Sequence, residues 1–301
     1  MSIIDDLKME YRVGGITQRL IFWNVGLFII PMILFSILIL FNVHLPFLRW
    51  DIVGANDWLS LSSDPADLLW KPWSIITYAF LHGGFLHILF NMMVLYFSGR
   101  LFLTFFTQKQ LFGLYILAAI FAGLLFITGY NTLPMLANGG VTKMVGASAA
   151  IMAILIATAV YAPYMEVRLM LIGTIKLWHI ALVLIALDLI QASVENTGGH
   201  LSHLAGAAFG FIYIKLLQNG TDLSRGVSAI TEFFTNLFKP KKAVPFKKVH
   251  RNNNPLPRPV ASKGGKDITQ KQIDEILDKI GRSGYDSLTK EEKEFLFKVG
   301  K

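Results

Sequence analysis

Five polar side chains stand in otherwise apolar sequence, and together they are of the kinds that acyl transfer needs. Ser148 lies in MVGASAAIMAI (144–154), His82, His87 and Asn91 in HGGFLHILFN (82–91), and His203 in GGHLSHLAGAAFG (198–210). A serine hydroxyl attacks poorly until a base takes its proton, and histidine is the usual base near neutral pH. The tetrahedral intermediate then needs hydrogen-bond donors. A backbone N–H at a helix start, an asparagine amide and an imidazole N–H can all serve. Ser148 as nucleophile and His203 as base, with His87, Asn91 and the Ser148 N–H as oxyanion donors, make a working set without a third triad member. His87 and Asn91 are four residues apart, which puts them on one helical face.

Composition says where such a site would sit. The chain has 301 residues, of which 53% are hydrophobic and 16% charged, with mean hydropathy +0.51. Soluble domains carry about 25% charged residues, so the chain reads as a membrane protein. Its net charge of +8 is concentrated in the tail after residue 215. Basic residues beside membrane spans report topology, and no nucleic-acid partner is expected. With no cysteine, disulfides, thiolate zinc sites and cysteine nucleophiles are excluded. A zinc protease would need H-E-x-x-H, which does not occur. An aspartyl protease needs two facing carboxylates, and Asp188 is the one obvious intramembrane candidate. No cofactor or metal is expected.

A membrane helix needs roughly 20 apolar residues. Six stretches qualify: about 20–42, 85–105, 111–130, 148–164, 169–191 and 201–218. The fourth is short and should start below the membrane surface. Lys8, Arg12, Arg19, Arg100, Lys109, Arg168, Lys176 and the basic tail mark one side, so both termini are expected in the cytoplasm. No cleavable signal peptide is evident before the first span. The expected fold class is an all-α polytopic six-helix bundle at 20–218, preceded by a cytoplasmic arm (1–19). A basic linker rich in Pro, Asn and Lys (219–266) and a small cytoplasmic helical hairpin (267–301) follow. The outward loop 43–73, rich in Trp and Leu, should lie partly in the interface, where Trp prefers the headgroup level. The basic linker should be drawn to anionic lipid.

With that topology, His87, Asn91, Ser148 and His203 come from three helices to one depth, near the outer side. Polar groups inside hydrocarbon are costly and need a partner or a job. Gly146, Ala147, Ala149, Ala153 and Ala157 along the fourth span, and Gly206 and Gly210 on the sixth, let helices approach closely. Close approach lets a short serine reach a neighbouring histidine. Taken alone, Ser148 would read as a packing residue, but His203 and the second-span pattern reverse that reading, and interhelical glue is the lesser reading of His87 and Asn91. Asp188 reads as structural, and His200 as a boundary residue.

These residues resemble the rhomboid family of intramembrane serine proteases over about 70–218. HGGFLHILFN resembles the family's H-x-x-x-x-H-x-x-x-N, GASA its G-x-S-G, and HLAGAAFG its H-x-x-G-x-x-x-G. The resemblance implies Ser148 as nucleophile, His203 as general base, and His87, Asn91 and the Ser148 amide as the oxyanion site. It gives His82 a structural role, bonding backbone near the second span, with Gly146, Gly206 and Gly210 as structural neighbours. The implied activity is endoproteolysis of transmembrane segments near the outer face, with single-span or polytopic membrane proteins as substrates. The implied location is the bilayer of a bacterial inner membrane. The alternative is a catalytically silent relative that binds membrane proteins as a scaffold or chaperone. Three positions depart from the pattern: Ala149 replaces a glycine, Ser74 follows Trp73 where many relatives have arginine, and Met152 replaces an aromatic one turn after the serine. Lys71 could take the arginine's anchoring role, and Met152 could contact the histidine ring through sulfur.

Overall fold

The structure, a computed structural model, describes residues 2–43, 58–169, 173–237 and 266–299. The expected interfacial loop lies in part (44–57), and the basic linker for the most part (238–265), outside the described residues.

The elements follow from capping and apolar length. α1 (Ile3–Val13) opens on a capping box in which the Ser2 hydroxyl accepts the Asp5 N–H. α2 (Ile16–Leu40) is the first apolar helix. The segment between α2 and the next long helix contributes β1 (Leu61–Ser62), one-turn helices α3 (Asp67–Trp70) and α4 (Ser74–Thr77), and a 3₁₀ turn (Tyr78–Phe80). Then come α5 (Phe85–Phe102), α6 (Gln108–Thr132), the one-turn α7 (Pro134–Ala137), β2 (Lys143–Met144) and α8 (Ser148–Tyr161). A hairpin of β3 (Glu166–Leu169) and β4 (Gly173–Lys176) leads to α9 (Leu177–Gln191) and α10 (Thr197–Gln218). Helix α11 (Ser224–Leu237) follows.

Among the described residues four helices, α2, α5, α6 and α10, are long and apolar enough to cross a bilayer, while α8 and α9 are shorter apolar helices. The fold is an all-α polytopic membrane fold with, among the described residues, two short antiparallel pairings, β1 with the distant β2 and β3 with β4. α8 is its centre. Residues 149–159 are all buried, because α10, α6 and α5 pack around the helix. A helix covered by protein on every side need not match the hydrocarbon thickness, which is why 14 residues suffice.

Two boundaries differ most from the sequence expectation. The fifth span was expected over 169–191, but the helix begins at Leu177. The preceding residues pair as antiparallel strands, with Val167 opposite Ile175. β-Branched residues alternating with charged ones favour that pleat. The linker expected from 219 instead begins with α11, packed on α6. Asp222 accepts the Ser224 N–H at 2.9 Å and its hydroxyl at 2.6 Å, turning the chain into the helix. Gly113 of α6 makes room, since a Cβ there would strike Ser224.

The C-terminal unit holds α12 (Lys266–Ser283), a 3₁₀ turn (Tyr285–Ser287) and α13 (Lys290–Val299). Thr289 opens α13, with the Glu292 N–H donating to its hydroxyl and the Thr289 N–H donating to the Glu292 carboxylate at 2.8 Å. Ile276 and Leu288 are buried, and Lys279 pairs with Glu292 at 2.9 Å.

Candidate active site

The segment before Ser148 is held from two sides. Leu61 and Ser62 pair with Met144 and Lys143, and the Gly146 N–H donates to the Tyr78 carbonyl at 3.0 Å. The Tyr78 ring is buried and its hydroxyl donates to the Ala119 carbonyl at 2.7 Å, tying this loop to α6. Gly146 itself has φ +134°, a conformation that L side chains rarely adopt. A Cβ there would also lie 3.1 Å from the His87 ring. The backbone angle favours glycine here, and the imidazole beside it leaves a Cβ little room. Ser148 follows as the first residue of α8, where backbone N–H groups have no partner inside the helix.

α10 brings the base. A Cβ on Gly206 would fall on the Ala149 carbonyl, and one on Gly210 on the Ala153 carbonyl. The two glycines and two alanines share a spacing of four, so the helices meet backbone to backbone along a full turn. At this separation His203 Nε2 lies 2.7 Å from Ser148 Oγ.

His87, on α5, accepts the Gly83 N–H at Nδ1, at 3.3 Å. With Nδ1 an acceptor, its proton sits on Nε2, the donor nitrogen beside Gly146. Asn91 spends one amide N–H on the His87 carbonyl, at 2.9 Å. Ser148, His203, His87, Asn91 and Gly146 all line one cavity of about 870 Å³. Gly206 and Gly210 lie behind it, between the helices. Such a cavity admits water and an extended backbone, and the groups on its wall can activate a hydroxyl and bind an oxyanion.

His82 differs from expectation. It is buried, and neither ring nitrogen has a hydrogen-bond partner among the described residues. The expected bond to loop backbone is not made. Its ring instead packs edge-on to His87, with centroids 5.1 Å apart, so it backs the His87 ring. Of the departures from the family pattern, Lys71 places its ammonium 5.7 Å from the centre of the Trp58 ring, Ser74 is buried, and Met152 lines the cavity.

Two residues missed as site members also line the cavity. Asp188 of α9 accepts through one oxygen from His203 Nδ1 at 2.9 Å and from His200 Nδ1 at 2.7 Å. A signal was present. Asp188 is the one carboxylate in the apolar run LWHIALVLIALDLIQ, and His200 and His203, at i and i+3, share a face of α10.

A rhomboid-domain family model matches residues 69–219. A family of unknown function (DUF6576) matches 264–299, the helical hairpin. No curated protein matches the chain. Half the sequence falls within the first match, and the fold around it is the polytopic helical bundle described above. The chain is a member of the rhomboid family, a family of intramembrane-protease type.

Proposed function

We propose that this protein is an intramembrane serine endopeptidase that cuts transmembrane segments of other membrane proteins near the outer face of the bilayer, working through Ser148 and His203. The observation that carries this reading is the 2.7 Å contact between Ser148 Oγ and His203 Nε2 on the wall of an open cavity.

The mechanism follows from the groups present. Ser148 Oγ attacks the scissile carbonyl carbon as its proton passes to His203 Nε2. The carbonyl oxygen becomes an oxyanion, held by the Ser148 N–H, the His87 Nε2–H and the Asn91 amide. His203 then gives its proton to the leaving amide nitrogen as the C–N bond breaks. Water, deprotonated by the same imidazole, then attacks the acyl carbon, and His203 returns that proton to Ser148 Oγ as the ester C–O bond breaks. The bilayer delivers the substrate, and the cavity delivers the water. In this reading both termini are cytoplasmic and the cavity mouth faces outward, which the loop charges support, and the membrane is a bacterial inner membrane, which the family resemblance supports.

The test is cleavage of a single-span reporter by protein reconstituted in liposomes. Ser148→Ala and His203→Ala are each expected to abolish it with the thermal melt unchanged. Cleavage by Ser148→Ala at the wild-type rate would eliminate the mechanism. A scaffold that binds without cutting would instead retain the reporter intact with all three proteins.

A further inference from the structure

We infer that Asp188 is a positioning residue for His203, and that the site works as a relay of serine, histidine and carboxylate, with His200 steadying the carboxylate. This rests on the protease reading above and specifies how its base is held.

The hydrogen-bond geometry sets the protons. An ionised carboxylate only accepts, and both imidazoles approach the same Asp188 oxygen through Nδ1, at 2.9 Å for His203 and 2.7 Å for His200. Each Nδ1 must therefore carry a proton. For neutral His203 this leaves Nε2 with a free lone pair, and Nε2 is the nitrogen 2.7 Å from Ser148 Oγ. The carboxylate thereby selects the one neutral tautomer that can take the serine proton. In the other tautomer Nε2 would already hold a hydrogen and could only donate.

Energetics point the same way. A carboxylate in an apolar helix of a membrane domain is expensive unless partnered, and the Asp188 side chain is 8% exposed. Its partners are on the neighbouring helix, one of them the proposed base. When His203 takes the serine proton it becomes an imidazolium beside that carboxylate, and the attraction in a partly dry site stabilises the transition state. Asp188 stays ionised throughout, and in the acylation step the proton travels from Ser148 Oγ to His203 Nε2 and on to the leaving nitrogen.

The same three side chains could suggest a chelated cation, but their spacing argues against one. Zinc–ligand bonds of about 2.0–2.1 Å at a tetrahedral angle hold ligand atoms about 3.3 Å apart. The observed 2.7 and 2.9 Å separations are those of N–H···O bonds to a charged acceptor. His200 fills the role of orienter. Its side chain is 12% exposed, and its bond fixes the carboxylate oxygen that His203 uses.

The experiment measures kcat and KM for a fluorescence-quenched single-span reporter in proteoliposomes, with fluorophosphonate labelling of Ser148 in parallel. Asp188→Asn keeps the shape but can offer N–H to Nδ1, so kcat and the labelling rate should fall on the order of 100- to 10 000-fold, with KM within about twofold. His200→Ala leaves the Asp188–His203 bond in place and should cost less than about tenfold. Wild-type protein with ¹⁵N-labelled histidine should show neutral His203 protonated at Nδ1, a measurement that needs no variant to fold. Wild-type kcat in folded Asp188→Asn, losses in His200→Ala equal to those in Asp188→Asn, or a neutral His203 protonated at Nε2 would each overturn the inference and leave the protease reading standing. Failure of the wild type to cut, or cutting by Ser148→Ala, would remove both.

Discussion

Gly206→Ala adds one methyl group at the place where α10 and α8 touch. A Cβ on Gly206 would land on the Ala149 carbonyl oxygen, within the helix that begins with Ser148. Carbon and oxygen need well over 3 Å, so the backbones must part by about 1 Å. His203 lies three residues before Gly206 and Ser148 one residue before Ala149, so both side chains move with the displaced backbones. A Ser148–His203 separation of 2.7 Å then becomes roughly 3.7 Å, beyond hydrogen-bond range. Misplacement of this size costs about 100-fold in rate, or about 2.7 kcal/mol at 1.36 kcal/mol per tenfold. Overpacking a close helix contact costs a further 1–3 kcal/mol or so of stability. The assay is reporter cleavage in liposomes with a thermal melt on the same preparation. Gly206→Ala with full activity and an unchanged melt would refute the claim that this glycine sets the serine–histidine distance.

Gly210→Ala meets the Ala153 carbonyl one turn further from Ser148, so it should destabilise by a similar amount but lower kcat less than Gly206→Ala does. Gly146→Ala imposes a side chain at φ +134° against the His87 ring. It is expected to cost about 1–3 kcal/mol of stability and at least about tenfold in kcat, read by melt and cleavage. Burial would raise the Asp222 pKa, but hydrogen bonds from the Ser224 hydroxyl and N–H, Gln110 and Tyr213 outweigh it and hold the carboxyl below its ordinary value. A depressed folded pKa contributes stability that is present above the unfolded carboxyl pKa near 4 and lost as pH falls through the folded one. Protection of the α11 amides against hydrogen exchange should therefore weaken below about pH 4, and Asp222→Asn should flatten that dependence.

The parts of this molecule that depend on one residue's chemistry were legible before any coordinates, and those that depend on two elements meeting were less so. Ser148, His87, Asn91 and His203 could be read off because a polar side chain in hydrocarbon stands out, and Gly206 and Gly210 because small residues four apart mark a close helix contact. The long spans expected at about 20–42, 85–105, 111–130 and 201–218 form at 16–40, 85–102, 108–132 and 197–218, within a few residues, because apolar length dominates them. Asp188 could be seen but not placed, since its meaning comes from His200 and His203 on another helix. The β3–β4 hairpin was hidden because four-residue strands carry too little pattern against a long apolar run. α11 was hidden because its amphipathic face packs on α6 beside a basic, Pro-rich stretch that dominates the local composition. His82 shows the opposite failure. Its family position implies a backbone bond, yet it is packed against His87 with its ring nitrogens unpartnered among the described residues.

Reaction of Ser148 with a fluorophosphonate tests the central claim most directly, because the probe needs an activated hydroxyl in a wet cavity and no substrate. Folded wild-type protein should be labelled at Ser148 alone, mapped by peptide mass, and labelling should vanish in His203→Ala. Wild-type protein that stays unlabelled under saturating probe, or His203→Ala labelled at the wild-type rate, would contradict the account.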